Sequence, residues 1–147
     1  MKAKKILFPT DFSAFGQEAL RWATVLARDT GAMLMVVHVE EPPMAYGGGE
    51  MYFPAEEGDR EELRRALVKV VPSDPSVRFE HKLLVGDPAS AIVEAAEQEN
   101  ADLIVLGTHG RTGLTRLLMG SVAENVVRNA KCPVLTVKHP SPVPAVG

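Results

Sequence analysis

Four stretches of this chain are almost entirely apolar: Lys5 to Phe8, Met33 to Val39, Leu103 to Leu106 and Pro133 to Val137. Each is of strand length, and a run that is apolar at consecutive positions has no face to give to water. Such runs belong to strands covered on both sides, as in a parallel sheet between two layers of helices. The stretches between them carry the helical period. Ala19, Ala23, Leu26 and Ala27 predict a helix from about Ala14 to Asp29, ended by Gly31. Leu63, Leu67 and Val70 mark a helix from Arg60 to Val71, whose Glu/Arg cluster from Glu57 to Arg65 reads as a solvated face. Ala89, Ile92, Val93 and Ala96 mark another, with Asp87 as N-cap and Pro88 at its first position. Val77 to Val85 alternates instead: Val77, Phe79 and His81 fall on one side, Arg78, Glu80 and Lys82 on the other. That is a half-exposed strand, so it belongs at a sheet edge.

Strand and helix thus alternate through five strands and four helices. The expected fold is one α/β domain over residues 1–139. It is an open five-stranded parallel sheet of order 3-2-1-4-5, with helices on both faces and right-handed crossovers. The tail 140–147, with Pro140, Pro142 and Pro144, is expected to be loose. Glu40 to Gly58 is a long Pro/Gly-rich loop with an unusual apolar content: Met44, Tyr46, Met51, Tyr52 and Phe53. Two readings stay open for it, a loop folded back on the core or a partner, and a flap over a ligand.

In an open α/β sheet, ligands sit outside the carboxyl ends of the strands where strand order reverses. Here that is between the first and fourth strands. Their carboxyl ends carry Pro9-Thr10-Asp11 and Gly107-Thr108-His109-Gly110-Arg111, the most polar turns of the chain. The second turn runs on to Gly120-Ser121, and Ser121-x-x-Glu124 reads as a capping box opening a helix to about Asn129. Unpaired amides at a helix start, with glycines that let backbone approach closely, suit a phosphate. The loop is neither a P-loop nor a dinucleotide fingerprint: G-x-x-x-x-G-K-[ST] is missing, and no G-x-G-x-x-G follows the first strand.

The spacing Gly107-x-x-Gly110, nine residues, Gly120-Ser121 resembles the ATP-binding signature of the universal stress protein family. Gly-Thr-His-Gly-Arg-Thr-Gly-Leu at 107–114, Gly-Ser-Val-Ala-Glu at 120–124, Cys132-Pro133-Val134 and the opening Ile6-Leu7-Phe8-Pro9-Thr10-Asp11-Phe12-Ser13 are similar to it as well. The resemblance spans the chain and is weakest from Pro42 to Pro75. It implies the five-stranded fold, a homodimer and bound ATP. By position, Asp11 would contact the ribose or base, with Pro9 and Thr10 in the same turn. The backbone at Val39 would read the adenine edge. Gly107, Thr108, His109, Gly110, Arg111, Gly120, Ser121 and Val122 would surround the ribose and phosphates. Plainer readings remain beside these. Asp11 and Ser121 could cap their own helices, His109 could matter by its backbone alone, and Arg111 could be a solvated charge. His38, among apolar neighbours, reads as a satisfied core histidine.

The chemistry expected is binding, with slow hydrolysis at most, because no base stands where phosphoryl transfer would need one. No catalytic residue and no metal ligand set is assigned. Mg²⁺ would accompany the phosphates of ATP. The competing readings are a slow ATPase, an ATP pyrophosphatase of related fold, whose Ser-Gly-Gly-type first turn is absent, and a phospho-acceptor receiver domain. The last would need an aspartate for phosphorylation where Val85-Gly86 stands. Net charge is −3, which offers no basic field for nucleic acid. No run approaches the about 18–20 apolar residues of a membrane helix. Ile6 to Phe8 is too short for a signal-peptide core, so a cytoplasmic protein is expected. Cys132 is read as a small packed residue. The uncharged fifth strand, Val134 to Val137, is expected at a sheet edge, pairing with a second copy across a two-fold axis.

Overall fold

The computed structural model describes residues 3–42, 57–108 and 119–138. A five-stranded, all-parallel sheet has the order β3-β2-β1-β4-β5. Its strands are β1 (Lys5–Pro9), β2 (Met33–Glu40), β3 (Phe79–Val85), β4 (Leu103–Gly107) and β5 (Val134–Val137). The helices are α1 (Gln17–Thr30), α2 (Glu57–Val68), α3 (Pro88–Gln98) and α4 (Ser121–Asn129). A single 3₁₀ turn, Ala14–Gly16, leads into α1.

The strand period sorts the core into two layers. On one face Ile6, Phe8, Leu34, Val36 and Val105 pack with Ala19, Ala23 and Ala27 of α1 and Leu67 of α2. On the other, Leu7, Met35, Val37, Ile104 and Leu106 pack with Ala89, Ile92 and Ala96 of α3 and Ala123 and Val126 of α4. Alanine at the helix contacts lets α1 lie close on the sheet. Gly31 stops α1 in the left-handed region (φ 77°) and returns its amide to the Ala27 carbonyl at 2.9 Å.

Several local expectations shift. The second helix lies three residues earlier than its apolar stripe suggests; Val70, beyond its end, still packs on the core. Phe79 does not share the burial of Val77: it is 41% exposed on the edge strand β3, whereas Val77 is buried. The capping box at Ser121 does not form. Gly120, in extended backbone, is the N-cap, and Ser121 is already the first helical residue with no side-chain cap bond. The helix begins there because Gly120 is tied by its amide to the Thr108 carbonyl at 2.6 Å, which fixes where the chain turns into α4. The charged face of α2 is solvated as expected, and Arg60 on it does one thing more. Its Nε donates to the buried Glu40 carboxylate at 3.0 Å, joining the end of β2 to the first turn of α2.

Asp87 caps α3 as expected, its Oδ2 accepting from the Ser90 amide at 3.1 Å. Asp87→Ala is expected to lower the unfolding free energy by about 1 kcal/mol, read from the urea midpoint. Cys132 is half-buried against the α3–α4 layer, and burial raises its thiol pKa. Glu99 accepts from Lys5 Nζ at 3.0 Å and Lys82 Nζ at 3.1 Å. These two side-chain bonds lower its carboxyl pKa from the ordinary value. A depressed acid stabilises the fold above its unfolded pKa and loses that contribution as pH falls through the folded one. The melting-temperature gap between wild type and Glu99→Gln should therefore be widest at neutral pH and close on acidification below the carboxylate range.

Candidate functional site: a cavity at the strand-order reversal

β1 and β4 register at Ile6–Leu103 and Leu7–Ile104. Backbone direction alternates along β1: Thr10 donates to Val37 of β2, while the Lys5 carbonyl faces the other way, to the Asp102 amide. Pro9 therefore faces β4 and has no N–H to give it. Past this point the two strands open onto a cavity of about 330 Å³ at their carboxyl ends.

Three walls meet there. Pro9, Thr10 and Asp11, with Gly16, form the first. Leu106, Gly107 and Thr108 of β4 and its end, then Gly120 to Ala123 at the start of α4, form the second. His38, Val39 and Glu41 at the end of β2, with Pro88 and Ile92 of α3, close the third. Nine of the twelve residues expected at a nucleotide site from the sequence thus line one cavity. The other three, His109, Gly110 and Arg111, lie outside the described residues, as do positions 43–56 of the long loop and 140–147 of the tail.

Each wall is held by identifiable bonds. The Thr108 amide continues the β4 ladder onto the Val137 carbonyl at 3.0 Å, and its carbonyl receives the Gly120 amide, which holds the start of α4 against the end of β4. In α4 the Glu124 amide makes the first helical bond, to Gly120. The Ser121, Val122 and Ala123 amides precede it and have no helical partner. All three residues border the cavity, so its floor combines amides that have no helical partner with the positive end of the helix dipole.

The β1–α1 turn is tied on itself. Thr10 Oγ1 accepts from the Phe12 amide at 3.0 Å, and Asp11 Oδ1 accepts from the Ser13 amide at 2.9 Å. Between them Phe12 takes φ +67°, a left-handed conformation that costs an aromatic residue about 1–3 kcal/mol. Asp11 is half-buried, and among the described residues only its Oδ1 is engaged, which leaves Oδ2 as an acceptor at the cavity wall. Asp11 thus holds its own turn and also faces the cavity.

His38 is buried and bonded, as expected of a core histidine, but it also borders the cavity. Sequence reading missed this second part, together with Gly16, Glu41, Leu106, Pro88, Ile92 and Ala123. Leu106, one residue before Gly107, and Ala123, one after Val122, could have been added by extending the motif. Pro88 and Ile92 arrive only through the packing of α3. Among the described residues no group of three His, Cys, Asp or Glu side chains could hold a metal ion, and no helix is long and apolar enough to cross a membrane.

The model of the universal stress protein family matches residues 2–138. The chain belongs to the universal stress protein family. A universal stress protein of Methanocaldococcus jannaschii is 42% identical over 146 residues, covering 93% of this chain and 83% of that protein. Among solved structures, a universal stress protein from Archaeoglobus fulgidus in complex with dAMP is 28% identical with a TM-score of 0.69, over 92% of this chain and 98% of that one. A universal stress protein in complex with cAMP is 27% identical, again with a TM-score of 0.69, over 95% and 99% of the two chains. The five-stranded parallel sheet of this universal stress protein, in the order 3-2-1-4-5, is the family's architecture.

Proposed function

We propose that this universal stress protein is a cytoplasmic regulatory protein that binds ATP in the cavity between β1 and β4. One observation carries the reading: the first residues of α4, whose amides have no helical partner, the Gly107 turn and Asp11 border a single cavity at the strand-order reversal. The chemistry of these donors fits the ligand. Amides at a helix start take phosphate oxygens. Asp11 Oδ2 accepts from a ribose hydroxyl. The backbone of Val39 offers hydrogen bonds to an adenine edge. The ligands of the two structural neighbours, cAMP and dAMP, share the adenine base and a phosphate, which supports the adenine assignment. Gly107, Thr108, Gly120, Ser121 and Val122 surround the phosphates in this reading, joined by His109, Gly110 and Arg111. Mg²⁺ accompanies the phosphates and leans on their oxygens.

Hydrolysis is slow or absent in this reading, because among the described residues no base faces the phosphate end. Asp11 serves the ribose end. ATP then acts as a stabilising switch: a ligand that binds only the folded form raises stability with its concentration. The protein pairs with a second copy through β5. Among the described residues that strand is hydrogen-bonded on one side only, to β4, and it carries no charge over Val134–Val137.

The test is to denature purified protein and identify any released nucleotide by chromatography, followed by calorimetric titration of the stripped protein with ATP and Mg²⁺. Released or titrated ATP with less than one turnover per site over hours supports the reading. No heat, no melting-temperature rise and no released nucleotide would overturn it, and linear product formation over many turnovers would make the protein an ATPase instead.

A further inference from the structure

The Asp11 turn does not hold itself in place. Its internal bonds, Phe12 amide to Thr10 Oγ1 and Ser13 amide to Asp11 Oδ1, fix its shape but not its position over the sheet. Two contacts from β2 do that. The Thr10 amide donates to the Val37 carbonyl at 2.8 Å. The next residue, His38, places Nδ1 2.7 Å from the Thr10 carbonyl. A carbonyl only accepts, so Nδ1 carries the hydrogen and Nε2 is the nitrogen without one in the neutral ring. The face of the same imidazole meets the Phe12 ring, with centroids 4.2 Å apart and planes 34° from parallel. His38 is 7% exposed, so this contact is made in a nearly dry setting.

We propose that His38 is a positioning residue for nucleotide binding: it braces the β1–α1 turn from both ends of Asp11, by a hydrogen bond to Thr10 and a ring contact to Phe12. The inference rests on the nucleotide reading above. Phe12 sits at φ +67°, a strained conformation that the turn's own bonds shape and that contacts to its ring help to seat. Phe12 packs against the core layer beneath α1 as well, and the imidazole holds another side of its ring while the same side chain holds the carbonyl before Asp11. Releasing either lets the Asp11 carboxylate swing from the cavity wall, while the sheet beneath stays paired.

Two variants separate the contacts. His38→Phe keeps an aromatic ring against Phe12 and deletes the donor. His38→Asn keeps a donor near the Nδ1 position and deletes the ring. His38→Phe is expected to weaken ATP affinity about three- to tenfold, the worth of one hydrogen bond in a dry site, and His38→Asn to recover part of that loss. The decisive readout is a cycle with Asp11→Ala. If His38 acts through Asp11, His38→Phe costs nothing further once the carboxylate is gone. An equal loss on both backgrounds, or no loss on the wild-type background, overturns the proposal. Should His38→Phe not fold, the imidazole of the intact protein gives the answer by ¹⁵N NMR: a proton on Nδ1 in the neutral ring supports the brace, and one on Nε2 overturns it. Wild type that binds no adenine nucleotide defeats the functional reading instead, and the tautomer result stands apart from it.

Discussion

Truncating Phe8 to alanine is expected to lower the unfolding free energy by about 3–5 kcal/mol, the range for an aromatic ring removed from a packed interior. Phe8 is 1% exposed, in a strand paired on both sides and covered on both faces. Its ring packs with Ile6, Val36, Val105 and the α1 alanines, and its far end lies under the 3₁₀ turn, within 4.0 Å of where a side chain at Gly16 would begin. The small residues of α1 cannot reach into the space the ring vacates, because alanine has no further atoms to extend. The cavity therefore persists, and its cost adds to the lost transfer energy. Against a total of about 5–15 kcal/mol for a domain of this kind, the variant sits near the edge of folding. Urea unfolding measures it. An unchanged slope with a greatly lowered midpoint is the expected pattern, and a loss under about 1 kcal/mol would mean that Phe8 is not the packing centre of this layer.

The second large effect is on binding. Asp11→Ala should weaken ATP about 10–100-fold, the worth of a hydrogen bond to a charged acceptor, with the sheet intact. Asp11 Oδ1 is held by the Ser13 amide, so the carboxylate is already oriented before a ligand arrives and little ordering cost opposes its contact. Asp11→Asn is the informative companion. Its side-chain oxygen still accepts from Ser13 and keeps the turn, so the affinity it loses reports the charge and Oδ2 rather than the turn. Calorimetry of stripped protein gives the affinities, and the melting temperature without nucleotide checks that the fold survives. Affinity unchanged in both variants would remove Asp11 from the site.

The two effects are linked through one strand. Phe8 fills the core beneath β1, and Asp11, three residues on, faces the cavity beyond its end. Pro9, between them, gives no hydrogen to β4, so the sheet opens where the core stops. The brace from His38 belongs to the same arrangement, since it fixes the turn that leaves β1 to the neighbouring strand.

Most of this architecture can be read along the chain. Consecutive apolar residues demand cover on both faces, and helical spacing demands a partner surface; both are local properties of short segments. Five strands and four helices, their alternation along the chain, the edge position of β3 and the Asp87 cap follow from them. The two turns that line the cavity were also legible, because Asp11 and the Gly107–Gly120 spacing sit next to strand ends. The start of α4 was not. Ser121 and Glu124 have the composition of a capping box, but the bond from Gly120 to Thr108 sets the turn one residue earlier, and a sequence pattern carries no record of that bond.

What the chain by itself determined is therefore the set of elements, their alternation and the polar turns at the strand ends, because these depend on neighbours within a few residues. The tertiary structure alone decided the rest of the third wall around Val39, the pairing of Arg60 with buried Glu40 and the place of His38 against Thr10 and Phe12. Those contacts join residues 20 or more positions apart, and strand register and helix packing, not local composition, determine which side chains meet.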